Sequence, residues 1–206
     1  MSFNYITIGY DCSPAAALKN LNLREFALPF DWVVSSITCL EKCFETNFEH
    51  FHKNLTIVYN KKRLIDYYGF QFPHDYPLND ASSGSLENIG EGVFGEEDGK
   101  FITVKWPEYY NIVLDKYNRR IERFKHIMND TKPIIVLSRY STKDVLQLQN
   151  LFIKYYKLNN VYFINSFSEE FENDKIKNIF TEKNNIWNES AIWEEEINYV
   201  IKNKLT

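Results

Sequence analysis

The run Pro133-Ile134-Ile135-Val136-Leu137 constrains this chain more than any other stretch. Four apolar residues in a row, three of them β-branched and none alternating with polar ones, describe a strand buried on both faces. Such strands belong to parallel sheets covered by helices. The neighbouring segments agree. Glu108 to Met128 places Ile112, Leu114, Tyr117, Ile121, Phe124 and Met128 on or near one helical stripe. Thr142 to Leu158 reads as the next helix, Val161 to Ile164 as another buried strand, and Glu189 to Asn203 as a last helix. Residues 3–9 form a strand of the same kind, and Ser13-Pro14 supplies a helix start: a capping Ser, then Pro at the first helical position. The order predicts an α/β fold in one domain spanning 1–206, with a central, mainly parallel sheet and helices on both faces.

Between these halves, Ser35 or Ser36 is placed to cap a helix carrying Ile37, Leu40, Phe44 and Phe48. Leu55–Tyr59 and Arg63–Phe70 read as a hairpin around Asn60-Lys61-Lys62. The loop Gln71 to Pro77 is pinned by Pro73 and Pro77. Residues 79–99 hold five of the seven glycines and read as a flexible loop. Phe101 to Trp106 is a further strand candidate.

Composition excludes several classes. A net charge of −4 offers no basic footprint for nucleic acid. No apolar run approaches the ~18 residues of a membrane span, and the N-terminus has no signal-peptide pattern. Three cysteines, Cys12, Cys39 and Cys43, do not make a disulfide framework, which points to a reducing, cytoplasmic setting.

Cys12 carries the chemistry. It follows the first strand and precedes a helix N-terminus, where the dipole and free N–H groups favour an anion and are expected to lower a thiol pKa. The competing reading is a buried cysteine filling a small space. A thiol nucleophile needs a base within hydrogen-bond reach and a group that orients that base. Of the four histidines, His74 is the candidate, held between Pro73 and Pro77. His50 and His52 read as surface residues at a helix end, and His126 as a solvated helix residue. Asp31, in Pro29-Phe30-Asp31-Trp32, and Asp75 are the candidate orienting carboxylates. The Ser13 backbone N–H, with that of Cys12, would serve a developing oxyanion; Pro14 has no N–H to give.

Ligands of parallel α/β sheets sit beyond the carboxyl ends of the strands. Ser138-Arg139-Tyr140 and Asn165-Ser166 are expected there, with Arg139 pairing with a carboxylate such as Asp31 or holding an anionic substrate group. Arg119, Arg120 and Arg123 read as a solvated face of the long helix. Cys39, Cys43, His50 and His52 match no zinc spacing, so no metal is expected. No motif requires a cofactor. Leu18 stands where a tyrosine-phosphatase loop needs Arg, Ala15 where a thioredoxin site needs Cys, and no Gly-rich Lys-Ser/Thr loop is present. A GDSL-type esterase would need a histidine near the C-terminus, and none follows His126.

Ile8-Gly9-Tyr10-Asp11-Cys12-Ser13-Pro14-Ala15, Leu23-Arg24, Pro29-Phe30-Asp31-Trp32, Tyr68-Gly69-Phe70 and Phe72-Pro73-His74-Asp75 together resemble a family of unknown function. It occurs in bacteria and large DNA viruses and is classed as papain-like cysteine peptidases. Lys116 to Phe124 and Ile134 to Arg139 extend the likeness to about residue 165. The resemblance implies Cys12 as nucleophile, His74 as base and Asp75 as its partner, and it keeps a papain-like α+β layout as the alternative fold. Two departures are visible: no Gln precedes Cys12, where papain has its oxyanion glutamine, and His74 lies much nearer the cysteine than papain's histidine does. The expected activity is that of a thiol hydrolase or acyltransferase on a peptide or small acyl substrate, with Ser13, Trp32 and Arg139 as substrate contacts. The rival readings are a non-catalytic binding or scaffold protein with a buried Cys-His-Asp-Arg network, and a sugar- or nucleotide-handling α/β enzyme using Arg139 and the 79–99 loop.

Overall fold

The computed structural model describes residues 2–58, 63–77, 102–181 and 189–204. In chain order the elements are β1 (Asn4–Gly9), α1 (Ser13–Asn20), α2 (Ile37–Glu45), β2 (Thr56–Val58), β3 (Arg63–Ile65), β4 (Gln71–Phe72), α3 (Trp106–Met128), β5 (Ile134–Arg139), α4 (Thr142–Tyr156), β6 (Val161–Phe167), β7 (Phe171–Glu172), β8 (Ile176–Phe180) and α5 (Ser190–Lys204). Two sheets result. The larger has the order β1-β5-β6-β8-β7, with β1, β5, β6 and β8 parallel and β7 antiparallel at one edge. The smaller is the antiparallel set β2-β3-β4.

Alternation along β5 explains the layers. Ile134 and Val136 face a core shared with Leu40 and Phe44 of α2, Tyr117 and Phe124 of α3, and Leu148 and Phe152 of α4. Ile135 and Leu137 face the opposite way, onto Ala17 and Leu18 of α1 and Trp193, Ile197 and Val200 of α5. Both sides of β5 are therefore apolar, as a covered parallel strand requires. The fold is an α/β arrangement, a mostly parallel sheet with helices on both faces, and not the papain-like α+β layout.

The first core is filled by rings. Phe30 meets Phe44, Phe48, Phe51, Phe70 and Phe124 with ring centroids 5.4–6.0 Å apart. The segment that carries Phe30 also closes the open edge of β1: the Ser35 N–H reaches the Gly9 carbonyl at 3.0 Å, and Val34 bridges to Gln71. The small sheet is thereby linked, through Val34 and Ser35, to the end of β1.

Several expectations change. Residues 102–105 do not form a strand; Trp106, followed by Pro107, opens α3 instead. Ile112 lies on the exposed side of α3, and Val113 takes its place in the core. The strands β7 and β8 are additional; their short, polar-interrupted sequence gives little periodic signal, and β8 is ordered by pairing with β6 and β7 by pairing with β8. Ser36, not Ser35, caps α2, accepting from the Cys39 N–H at 3.2 Å. The expected turn at 60–62 and the loop at 79–99 lie outside the described residues.

Candidate active site

Cys12 is the N-cap residue of α1, so the thiol sits where β1 gives way to the helix. It is 3% exposed and clusters with Ala15, Ala16 and Trp32. The His74 ring stands edge-on to Trp32, with centroids 6.2 Å apart. Trp32 thus joins the neighbourhoods of the candidate nucleophile and the candidate base, and the Arg24 guanidinium packs on the same ring. His74 is partly exposed, whereas Cys12 is covered.

The expected lowering of the thiol pKa is overturned. Burial pushes Cys12 up first; Asp11, Asp75 and Asp31 push it further, and Arg63 opposes them. The dipole of an eight-residue helix, worth roughly 0.3–1 kcal/mol at its terminus, does not offset loss of solvent together with three carboxylates. The resting thiol is protonated.

Both candidate orienting carboxylates are fully engaged. Asp31 accepts from the Thr7 hydroxyl at 2.7 Å and the Leu28 N–H at 2.9 Å, and Arg24 lies 3.7 Å away. Burial is the main reason its carboxyl is raised, and these partners only moderate it. Asp75 forms an ion pair with Lys116 and accepts from the Tyr117 hydroxyl at 2.9 Å, both from α3. Burial would raise Asp75, but the Lys116 ammonium, with Arg120 and His52, leaves it below the usual carboxylate range. Asp75 therefore anchors the His74 loop to α3.

Arg139 finds a different carboxylate from the one expected. Its Nη1 lies 2.6 Å from Asp11 Oδ2, next to Cys12 and not at Asp31. Its guanidinium also packs on the Tyr10 ring. The other oxygen of Asp11 accepts from the Ser13 N–H at 2.9 Å and the Ser13 hydroxyl at 2.7 Å. The expected oxyanion donor is thus occupied by the chain's own carboxylate.

Beyond the carboxyl ends of the parallel strands lies a cavity of about 760 Å³. Tyr10 after β1, Arg139 and Tyr140 at the end of β5, Phe167 and Ser168 at the end of β6 and Thr181 after β8 all line it. Below it, Asn165 accepts from the Ser138 hydroxyl and the Tyr140 N–H and donates to Asn178, so the strand ends are tied together.

The N-terminal residues, Trp32, the His74 loop, α3 and β5 are also the segments of a known family. The family model described as putative papain-like cysteine peptidase matches residues 3–161. The chain belongs to this family. No curated protein and no solved structure matches it. The family's description names a peptidase class; the parallel sheet here is not papain's layout.

Some participants were not legible. His52, read as a surface residue, is fully buried: its Nε2 lies 2.7 Å from the Tyr76 hydroxyl, and its ring packs on Phe72, Tyr76, Tyr110 and Tyr117. Arg120, read as solvated, is buried over the Tyr117 ring and acts on both Asp31 and Asp75. The helical period of α3 carried a signal for Arg120, which falls one residue before Ile121 and three after Tyr117. For His52 there was none, because it lies in irregular backbone with φ at 56°. Among the described residues no group of three or more His, Cys, Asp or Glu side chains is placed to hold a metal.

Proposed function

We propose that this family member is a thiol hydrolase or acyltransferase, acting on a peptide or small acyl group in the cytoplasm. Cys12 Sγ attacks the carbonyl carbon, His74 accepts the thiol proton and returns it to the leaving group, and water or an acceptor then releases the acyl group. Trp32 packs against the substrate. The observation that carries the reading is the shared neighbourhood of Trp32, which clusters with Cys12 at the N-cap of α1 and meets the His74 ring edge-on. The free thiols of Cys12, Cys39 and Cys43 suit a reducing compartment, and no described helix is long and apolar enough to cross a membrane.

The burial of Cys12 and its raised pKa favour the second reading, a non-catalytic protein in which the same residues form an internal network. The two readings separate in one assay. p-Nitrophenyl acetate should give a burst of one nitrophenolate per chain, with the acetyl group on Cys12. Cys12→Ser should abolish the burst, and His74→Ala should slow it about 10²–10⁴-fold, the usual worth of a general base. A burst that survives Cys12→Ser, or no acylation of Cys12 at all, rejects the hydrolase.

A further inference from the structure

Asp11 joins the start of α1 to the cavity at the strand ends. One oxygen takes the Ser13 N–H and hydroxyl at the start of α1, and the other takes Arg139. Ser13 N–H is the backbone donor directly after Cys12, and Pro14 offers none. A carbonyl oxygen developing charge on Cys12 would need the donor that Asp11 holds. The same carboxylate disfavours the thiolate. Arg139, on the other side, lines the cavity at the strand ends.

We propose that Asp11 is an internal latch that slows attack by Cys12 without abolishing it, and that a small oxyanion-bearing molecule entering the cavity releases it by taking Arg139. The inference rests on the reading of Cys12 as the nucleophile. Burial decides which partner moves: Arg139 is 2% exposed and fixed on Tyr10, whereas Asp11 is 21% exposed and can turn toward solvent. Charge decides the ligand. While Asp11 neutralises Arg139, the other charged groups of the cavity among the described residues, Lys143 and Asp144, balance. With Asp11 turned out, Arg139 and Lys143 together line the cavity, and Ile37, Thr38 and Lys143, which open α2 and α4, belong to the same lining. Tyr10 and Phe167, packed edge to face, offer an aromatic wall for the body of the ligand. A phosphate or carboxylate that binds only the released state shifts the equilibrium by its differential affinity.

The test reads the thiol directly. Iodoacetamide alkylation of Cys12 is followed by peptide mass spectrometry from pH 6.5 to 9.5, with Cys39 and Cys43 in the same chain as reporters of general opening. Besides Asp11, the charged groups acting on Cys12 are Asp75, Asp31 and Arg63, and all stay in place in the variants. Asp11→Ala should raise the rate at pH 7.5 at least tenfold and move the midpoint of the pH profile downward. Asp11→Asn, which keeps an acceptor for Ser13, should do so less. Rates at Cys39 and Cys43 should not change. In the natural sequence, phenylphosphonate should accelerate labelling of Cys12 more than inorganic phosphate, each against sodium chloride of equal ionic strength, and neither should act on Asp11→Ala. An unchanged or slower Cys12 in Asp11→Ala, or a parallel rise at Cys39 and Cys43, overturns the latch. Phenylphosphonate that is inert, or that acts equally on both proteins, overturns the effector site. Alkylation needs no hydrolysis, so a latch that passes with no acyl burst would fault the hydrolase reading and not the latch.

Discussion

Asp75 of the His74 loop is tied to Lys116 of α3, and that tie sets where the neighbouring imidazole stands. The carboxylate is fully buried and Lys116 nearly so, with the Tyr117 hydroxyl completing the shell. A buried pair gives little net stability as a pair, but removing one partner leaves the other charge without solvent or counter-charge. Asp75→Asn should therefore cost about 3–5 kcal/mol in urea unfolding. Glu41→Gln, which breaks the exposed pair with Lys154, should leave the urea midpoint nearly unchanged. Equal losses in the two variants would contradict the assigned role of Asp75.

His52 and Asp66 set opposite pH dependences within one contact. The His52 backbone N–H donates to Asp66 at 2.9 Å. Burial holds the His52 imidazole down to about 3, so the folded chain excludes a proton that the unfolded chain binds below pH 6.5, and stability falls as pH drops from there. Burial lifts Asp66 to about 7 despite backbone donors from His52, Phe70, Tyr68 and Gly69, so its contribution is greatest in acid and is lost as pH rises from about 4 to 7. Each slope approaches about 1.4 kcal/mol per pH unit, and the two largely cancel. Urea unfolding at pH 4.5, 5.5 and 6.5 should show His52→Asn gaining stability toward acid and Asp66→Asn losing it. The same sign in both variants would refute the assignment.

Gly69 turns the chain between β3 and β4 at φ 97°, in a loop whose N–H groups at 68, 69 and 70 all point to Asp66. A Cβ at this position would strain the backbone and come 3.2 Å from Cys39 Sγ. Gly69→Ala should cost about 1–3 kcal/mol, read as a lowered thermal midpoint. An unchanged midpoint would mean that the turn relaxes freely.

Phe30 is the hub of the ring cluster and is 1% exposed. Phe30→Ala should cost about 3–5 kcal/mol, and Phe30→Leu less, because leucine refills part of the space. A loss below 1 kcal/mol in the alanine variant would show that the five surrounding rings collapse into the gap.

The sheet was legible where local period and burial coincide. β1, β5 and β6 each carry a short apolar stretch rich in β-branched residues, and α3 and α4 repeat their apolar residues at helical spacing, so type and order follow from nearest neighbours in sequence. β8 was not legible: Lys177 and Asn178 break its run, and its strand character comes from lying beside β6. The candidate site divides in the same way. Cys12 at a strand–helix junction and His74 between two prolines are local patterns, and the structure groups both with Trp32.

The sequence by itself determined the helices and the central strands β1, β5 and β6, the α/β class and the chemical types gathered at the ends of β1 and β5. It did not determine the partners. Arg139 meets Asp11 across 128 residues because the register of β1 on β5 sets Gly9 opposite Arg139, two residues before Asp11. Asp75 meets Lys116 only because the β4 loop docks on α3. The protonated state of Cys12 is of the same kind: the helix start alone predicts a lowered pKa, and burial, with the adjacent Asp11 and with Asp31 and Asp75 from distant segments, reverses it. Hydrophobic period acts between neighbours and can be read along a chain, whereas desolvation and charge pairing depend on what the fold brings within a few ångströms.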